Sequence, residues 1–319
     1  MRKSGYSLVG ARTAAIAMSA CAPDSTQPGA DGAQDPAFAK AAPASGDVVS
    51  AKLKEVNTRL AAAGANYAVE FAEISFARSA TSDKGQIVYA NDRTHRLTSK
   101  WVAGDARRLA DGNNITYMND QTFMTANGAG NAEPAIDASF ATWQNVKCSK
   151  LNLVKRPYDG GFHSAIFAGG DIFASDIYTL GFLPGIYFDL VLGPGASQSV
   201  LGVTFTFVFG DYDAQGNFIP SDIDNDGRDD TAIKEVWYND AFTWTTTNDT
   251  DIDIESVALH ENGHALELGH FGKVAFNTSS GKLKVSPRAV MNAFILGVLR
   301  SPLGTDNGSY CSNWASWPN

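Results

Sequence analysis

The order of apolar and polar residues along the chain predicts a protein that combines helices and strands. Residues 48–63 carry apolar side chains at helical spacing, and residues 67–76 alternate as a β-strand does. Residues 86–90 predict a second strand in this N-terminal part. The apolar positions of the predicted helix are Val49, Leu53, Val56 and Leu60. Two roles are open for this part: a removable propeptide, or a packed extension of the region that follows.

A second set of elements begins near residue 114. Residues 114–118 predict a strand, residues 135–143 a helix, and residues 151–154 another strand. The apolar face of this helix is formed by Ile136, Phe140 and Trp143. The mixture of helical and strand patterns indicates an α+β domain.

The stretch after residue 170 contains the clearest strand pattern. Residues 171–177 predict a short strand, and a loop with several glycines and prolines follows from residue 181. Residues 201–209 alternate β-branched and aromatic side chains, which is the strongest strand signal in the chain. Residues 234–238 predict a further strand, and residues 305–314 a final helix.

The residues that indicate chemistry lie in one short stretch. Of five histidines in the chain, three are His260, His264 and His270, in the pattern H-E-x-x-H-x-x-x-x-x-H. Residues four apart share a helix face, so the first two can bind one metal ion, while Glu261 can take a proton from a bound water. Gly269 allows the turn that brings His270 to the same ion. Three neutral nitrogens and one open position are the arrangement of a catalytic zinc.

This stretch resembles the motif of the metzincin metalloproteases, H-E-x-x-H-x-x-G-x-x-H followed by a methionine turn. Residues 289–292, Ala-Val-Met-Asn, are similar to that turn, and the resemblance implies that Met291 lies beneath the three imidazoles. Within the metzincins the sequence is most similar to the matrixins, also through the helical segment 139–143, Ser-Phe-Ala-Thr-Trp.

The resemblance covers residues 114–319. It implies an α+β, zincin-like (metzincin) domain with a twisted mixed β-sheet, an active-site helix and a Met-turn. It also implies that residues 201–209 are an edge strand, to which a peptide substrate adds as a further strand. Specificity would depend on the pocket walls after Met291, in residues such as 294–299.

One position departs from the metzincin motif. Glu267 stands where the family has glycine at the end of the helix. Two consequences are open. A non-glycine residue in a left-handed conformation costs about 1–2 kcal/mol, which affects the path of the chain to His270. Alternatively, Glu267 lies seven residues after His260 on the metal-facing side and could itself bind the ion.

An acidic segment has the form of a calcium-binding loop. Asp222, Asp224 and Asp226 follow the pattern D-x-D-x-D-G. The complete EF-hand loop needs a glutamate at its twelfth position, where this chain has Ile233. Two interpretations are open: Ca²⁺ bound by these three residues together with Asp230, and a solvated acidic turn.

The N-terminus has the features of an export signal, residues 1–21. Basic residues precede a short apolar run, 13–20, that is too short to span a bilayer. The run ends at Cys21 in the sequence Met-Ser-Ala-Cys, which resembles the cleavage box of bacterial lipoproteins. Lipidation of Cys21 and plain secretion are both open. Either way we expect an exported protein, secreted or anchored by lipid at the cell envelope.

Composition divides the remaining chain into three parts. Residues 22–46 are rich in Pro, Gly, Ala and Ser and predict a flexible linker. Residues 47–113 are expected to form an N-terminal extension or propeptide-like element, and the resemblance implies that residues 114–319 are a metzincin catalytic domain. After export, Cys148 and Cys311 remain, and in an oxidising compartment we expect them to pair; two buried free thiols are the alternative.

These features together predict a zinc-dependent endopeptidase of extracellular proteins, with Glu261 as general base. A net charge of −9 gives no overall basic character, so we expect protein or peptide substrates and no nucleic acid. We expect a monomer that contacts membrane only through a lipid at Cys21. A non-catalytic exported binding module with a relic zinc site is the alternative, and Glu267 is the feature that favours it.

Overall fold

The computed structural model describes residues 46–79, 96–108, 112–167, 169–247, 251–277 and 282–318. The predicted export signal with Cys21, the linker up to residue 45, and the predicted strand at 86–90 lie outside these residues.

The described residues form an α+β structure with five α-helices and a mixed sheet. The helices are α1 (Gly46–Ala62), α2 (Glu133–Gln144), α3 (Gly185–Leu192), α4 (Ile254–Ala265) and α5 (Gly304–Trp314). The first seven strands are β1 (Ala68–Ser79), β2 (Ser99–Lys100), β3 (Ile115–Asn119), β4 (Thr125–Ala126), β5 (Gly130–Asn131), β6 (Leu153–Lys155) and β7 (Ile177–Leu183). The others are β8 (Val200–Tyr212), β9 (Phe218–Pro220), β10 (Asp229–Asn239), β11 (Trp244–Thr245), β12 (Ile252–Asp253), β13 (Lys273–Asn277), β14 (Lys282–Ser286) and β15 (Phe294–Ile295).

The main sheet has nine strands, in the order β15-β1-β8-β10-β7-β3-β6, with β2 beside β10 and β9 beside β8. β6, β3, β7 and β10 are mutually parallel, whereas β8 runs antiparallel to β10. β1 continues the sheet antiparallel to β8 and parallel to β15. The N-terminal elements and the region of the motifs therefore share one sheet.

Two hydrophobic clusters hold helices against the sheet. One cluster contains buried residues of α2, α4 and α5, including Trp143, Val257 and Trp314. The other contains residues of α1 and α3 together with a group of aromatic side chains on β8 and β10, such as Phe205 and Trp237. A disulfide joins Cys148, just after α2, to Cys311 in α5. Among the described residues, every helix is too short or too polar to cross a bilayer.

Two sequence predictions are wrong in this region. The short strand predicted at 171–177 is absent, because Asp171 accepts a hydrogen bond from the Phe173 amide at 2.9 Å and starts a turn. The strand, β7, begins only at Ile177 and continues through the predicted start of the loop at residue 181. The loop itself contains α3, whose eight residues are flanked by the proline and glycines that indicated a loop.

The position of β8 also differs from the prediction. Residues 201–209 were expected at the edge of the sheet, but β8 is paired along both sides, by β10 and by β1. The additional strand comes from the N-terminal part of the chain, which the sequence pattern alone did not place.

Candidate metal centre

Helix α4 presents the first two histidines, and its start is fixed by a side-chain cap. The Asp253 carboxylate accepts a hydrogen bond from the Ser256 amide at 2.8 Å, which is the usual N-cap arrangement. Arg300 donates to the same carboxylate, with its Nε 3.1 Å from Oδ1. These bonds lower the pKa of Asp253, although burial alone would raise it. The carboxylate therefore stays ionised at the positive end of the helix.

The three histidines of the motif meet at one point. The Nε2 atoms of His260 and His264 are 3.0 Å apart, and each lies 3.1–3.2 Å from Nε2 of His270. His260 and His264 are fully buried, and His270 is 3% exposed. Burial lowers the pKa of His260 to about 4 and that of His264 well below its ordinary value, so both rings are neutral at pH 7.

The hydrogen bonds made by Nδ1 of His260 and His264 determine the direction in which Nε2 of each ring faces. Nδ1 of His260 lies 2.7 Å from the Val290 carbonyl oxygen, and Nδ1 of His264 lies 2.7 Å from that of Leu268. Because a carbonyl oxygen only accepts, each Nδ1 carries the proton of the neutral ring, and each Nε2 presents a lone pair. Two lone pairs directed at each other across 3.0 Å repel unless a cation lies between them.

A zinc ion fits this triangle of nitrogens. Zn–N distances of about 2.0–2.1 Å and tetrahedral angles place two ligand nitrogens about 3.3 Å apart, close to the 3.0–3.2 Å found between the Nε2 atoms. The donor set is also right, since neutral imidazole is a preferred zinc ligand. Among the described residues, His260, His264 and His270 form one of two groups that could hold a metal ion.

The chain between α4 and His270 passes through one residue in the left-handed backbone conformation. Glu267 has φ 71°, and the Leu268 amide then donates to the Gly263 carbonyl at 2.9 Å, which closes the end of α4. The Glu267 carboxylate accepts a hydrogen bond from Thr231 Oγ1 at 3.1 Å and lies 3.4 Å from Arg228 Nη2. Its contacts with residues 228 and 231 do not support the alternative in which Glu267 binds the metal ion.

Glu261 is held against the neighbouring strand. Its Oε2 accepts a hydrogen bond from Thr204 Oγ1 on β8 at 2.7 Å, and the whole residue is buried. Gly202 lies so close that a Cβ there would be 3.1 Å from Glu261 Oε1. Burial, with a smaller contribution from Glu261, raises the pKa of Tyr238 well above its ordinary value. Thr204 and Gly202 were missed from sequence; a glycine inside a strong strand pattern is a signal of close approach.

Residues 289–292, the segment that resembles a methionine turn, pack against α4. Met291 is 1% exposed, and a Cβ on Gly263 would overlap its sulfur atom. The turn is fixed by Asp306, whose carboxylate accepts hydrogen bonds from the amides of Val290 at 2.9 Å and Met291 at 3.1 Å. Asp306 could not be identified from the sequence, because nothing in the spacing of α5 indicates that it supports this turn.

A small pocket lies beside residues 289–292. Its walls include Val290, Phe294 and Leu299, together with Ser256 of α4. The lining includes several residues of segment 294–299, which the sequence predicts to determine substrate specificity.

Three of the four aspartates predicted to bind calcium lie together, and the fourth has other partners. Carboxylate oxygens of Asp222, Asp224 and Asp226 lie within 4.8 Å of one another. Lys100 Nζ contacts two of them, at 2.9 Å from Asp224 and 2.8 Å from Asp226. Asp230 is directed elsewhere: its carboxylate lies 2.6 Å from Arg107 Nη2 and accepts a hydrogen bond from Ser221 at 2.5 Å. The structure thus brings together three of the four predicted calcium ligands and places a lysine beside them.

No protein-family model matches this chain, and no curated protein matches its sequence. The functional interpretation therefore depends on the geometry of its own residues.

Proposed function

We propose that this chain is a zinc-dependent endopeptidase of metzincin type, similar to the matrixins, with a zincin-like fold. One observation supports the proposal most: the Nε2 atoms of His260, His264 and His270 lie within 3.2 Å of one another, and Glu261 follows the first ligand. The hydrogen bond of 2.7 Å from Thr204 to the Glu261 carboxylate also supports a catalytic role, because a non-catalytic zinc site does not require an oriented carboxylate.

The three histidines would hold the zinc, each through its Nε2 atom. When bound, the ion supplies an acidified water and a Lewis acid for a peptide carbonyl. Glu261 accepts the proton of the attacking water and returns it to the leaving amine. The hydrogen bond from Thr204 keeps the carboxylate in one rotamer, so that little reorganisation is needed during the reaction.

The remaining groups orient the substrate and the ligands. The backbone carbonyls of Val290 and Leu268 fix the ring orientations of His260 and His264. Residues 294–299, several of which line the small pocket beside Phe294, would form a wall of the substrate-binding region and contribute to specificity. Export, lipidation of Cys21 and Ca²⁺ binding near Asp224 stay predictions of the sequence.

Substitution of the general base tests this proposal. Glu261→Ala should retain one zinc per chain and lose peptide hydrolysis by a factor of about 10²–10⁴, the usual contribution of general acid–base catalysis. Zinc content and cleavage of casein and fluorogenic peptides, with and without a chelator, measure both effects. Glu255→Ala, in the first turn of the same helix, is the matched control and should keep both properties. Full activity in a metal-loaded Glu261→Ala protein would refute the assigned role.

A further inference from the structure

The parallel strands β3 and β6, with the helix α2 between them in the chain, leave an open groove at one edge of the sheet. Asn119 is the last residue of β3, Glu133 the first residue of α2, and Lys155 the last residue of β6. Because β3 and β6 are parallel, their carboxyl ends lie side by side. All three residues line a groove of about 490 Å³. The carboxyl ends of parallel strands are a common place for ligands in open sheets.

The charged side chains at this groove are paired with one another. Lys155 Nζ lies 2.7 Å from Glu133 Oε1 and 2.6 Å from Asp137 Oδ2, one turn further along α2. The Gln121 amide donates to the same Glu133 oxygen at 2.7 Å. Arg156 also lines the groove, so the two cations and the two carboxylates give no net charge. A ligand that fits this groove therefore needs no net charge of its own.

The inner wall of the groove contains buried polar atoms that lack protein partners. Asn119 is 1% exposed; its Nδ2 donates to Asp137 at 3.0 Å, but its Oδ1 makes no hydrogen bond among the described residues. Thr179 of β7 is paired with Asn119, so the two side chains project from the same face of the sheet. The Thr179 hydroxyl is fully buried and also lacks a partner within the described part of the chain. Buried polar atoms of this kind are stabilised by a ligand or water that reaches them.

The lining offers donors and acceptors close together. The Lys155 ammonium and the Gln121 amide donate, whereas the Glu133 carboxylate and Asn119 Oδ1 accept. A hydroxyl group both donates and accepts, so a compound with several hydroxyl groups satisfies such a mixed lining. A carboxylate ligand only accepts and would leave Asn119 Oδ1 unpaired. Tyr158 adds an aromatic ring against which the C–H face of a sugar can pack.

We propose that this groove binds a neutral saccharide. Its hydroxyl groups donate to Asn119 Oδ1 and Glu133 and accept from Lys155 and Gln121. The groove shares no residue with the three histidines of the candidate metal centre or with the small pocket beside residues 289–292. The saccharide site therefore goes beyond the proposed function and does not depend on peptide hydrolysis.

Titration of the full chain with neutral oligosaccharides tests the proposal. The probes are maltotriose, cellotriose and chitotriose, and amide NMR signals of the ¹⁵N-labelled protein are followed. We expect at least one of them to shift the signals of residues 119–121 and 155–158, with a Kd of about 1–10 mM, because the groove is open. The same shifts should occur with 1,10-phenanthroline present, since the groove does not involve the three histidines.

Two results of this titration would overturn the proposal. Unchanged signals with all three sugars would mean that water alone satisfies the groove. Shifts at these residues with succinate, and none with the sugars, would assign the groove to anions. Because the titration uses the unaltered protein, its result does not depend on whether a variant folds.

Replacement of one donor tests the assigned contacts. Gln121 is exposed, in the short 3₁₀ turn Gln121–Phe123, so Gln121→Ala should fold as the wild type does. We expect the Kd of the bound sugar to rise about fivefold, the effect of one hydrogen bond. Gln215→Ala, at an exposed glutamine between β8 and β9, is the matched control and should bind as the wild type does. Equal affinity in Gln121→Ala and wild type would contradict the site.

Discussion

Glu267 adopts a conformation that suits glycine, and its side chain offsets the strain. Its φ of 71° costs about 1–2 kcal/mol for a residue with a Cβ. The buried carboxylate accepts a hydrogen bond from Thr231 and lies near Arg228, while the fully buried Lys234 donates to the His264 carbonyl at 2.9 Å. These contacts link the end of α4 to β10.

Replacement of this residue by glycine should therefore destabilise the protein despite relieving strain. Removal of one partner from a buried charged group costs about 3–5 kcal/mol, which exceeds the strain recovered. We expect Glu267→Gly to lower the free energy of unfolding by about 2–3 kcal/mol, and Glu267→Gln, which can still accept from Thr231, to lower it by less. Urea unfolding measures both. A Glu267→Gly protein as stable as the wild type would show that the contacts contribute nothing.

Residue-level prediction succeeded where partners are close in sequence. His260, His264 and Glu261 share one helix, so spacing alone placed them together. Thr204 and Asp306 could not be found this way, because their partners, Glu261 and the Val290 amide, are distant in the chain. Such contacts depend on how β8 and α5 pack, and periodicity carries no information about that.

At the level of elements, β10 carries a buried carboxylate that links it to a loop. Glu235 accepts hydrogen bonds from Ser164 Oγ at 2.9 Å and from the Ala165 amide. Burial raises its pKa to about 7, although these hydrogen bonds act in the opposite direction. In the folded protein the group thus holds its proton at a pH where the unfolded chain has lost it.

The sign of the pH effect follows from this difference. A raised pKa in the folded state stabilises the protein fully below pH 4.5, and the contribution is lost as the pH rises to about 7. Over this interval we expect the wild type to lose about 3 kcal/mol relative to Glu235→Gln, which has no proton to release. Urea unfolding of both proteins at several pH values measures the change. A difference that stays constant from pH 4.5 to 7 would contradict the raised pKa.

Element prediction was most reliable for strong periodic patterns. The helix predicted at 305–314 corresponds to α5, and the strand at 201–209 to β8. Helix α3 was missed because its eight residues are almost all apolar and show no polar face, while the flanking Pro184 and Gly193 indicate a loop. In a segment with neither alternating polarity nor a polar face, only its length and its flanking residues indicate its secondary structure.

For the molecule as a whole, the N-terminal part is bound into the main sheet, whose strand β8 contacts Glu261 beside the candidate metal centre. The sequence predicted both the helix and the strand of this part, but not that β1 pairs with β8 and β15. Pairing between strands that are distant in sequence depends on tertiary packing, which local patterns do not encode. The disulfide between Cys148 and Cys311 was expected from cysteine number and export, and the structure contains it.

Zinc titration of the metal-free protein determines whether His260, His264 and His270 hold a zinc ion. We expect one zinc per chain with a dissociation constant of about 10⁻⁸ M or tighter. His264→Ala should weaken binding by at least about 100-fold, since a ligand is lost. His163→Ala, a histidine outside the site that pairs with Asp159, should bind as the wild type does. Absence of binding at saturating zinc, or equal affinity in His264→Ala and wild type, would show that the three histidines do not form a zinc site.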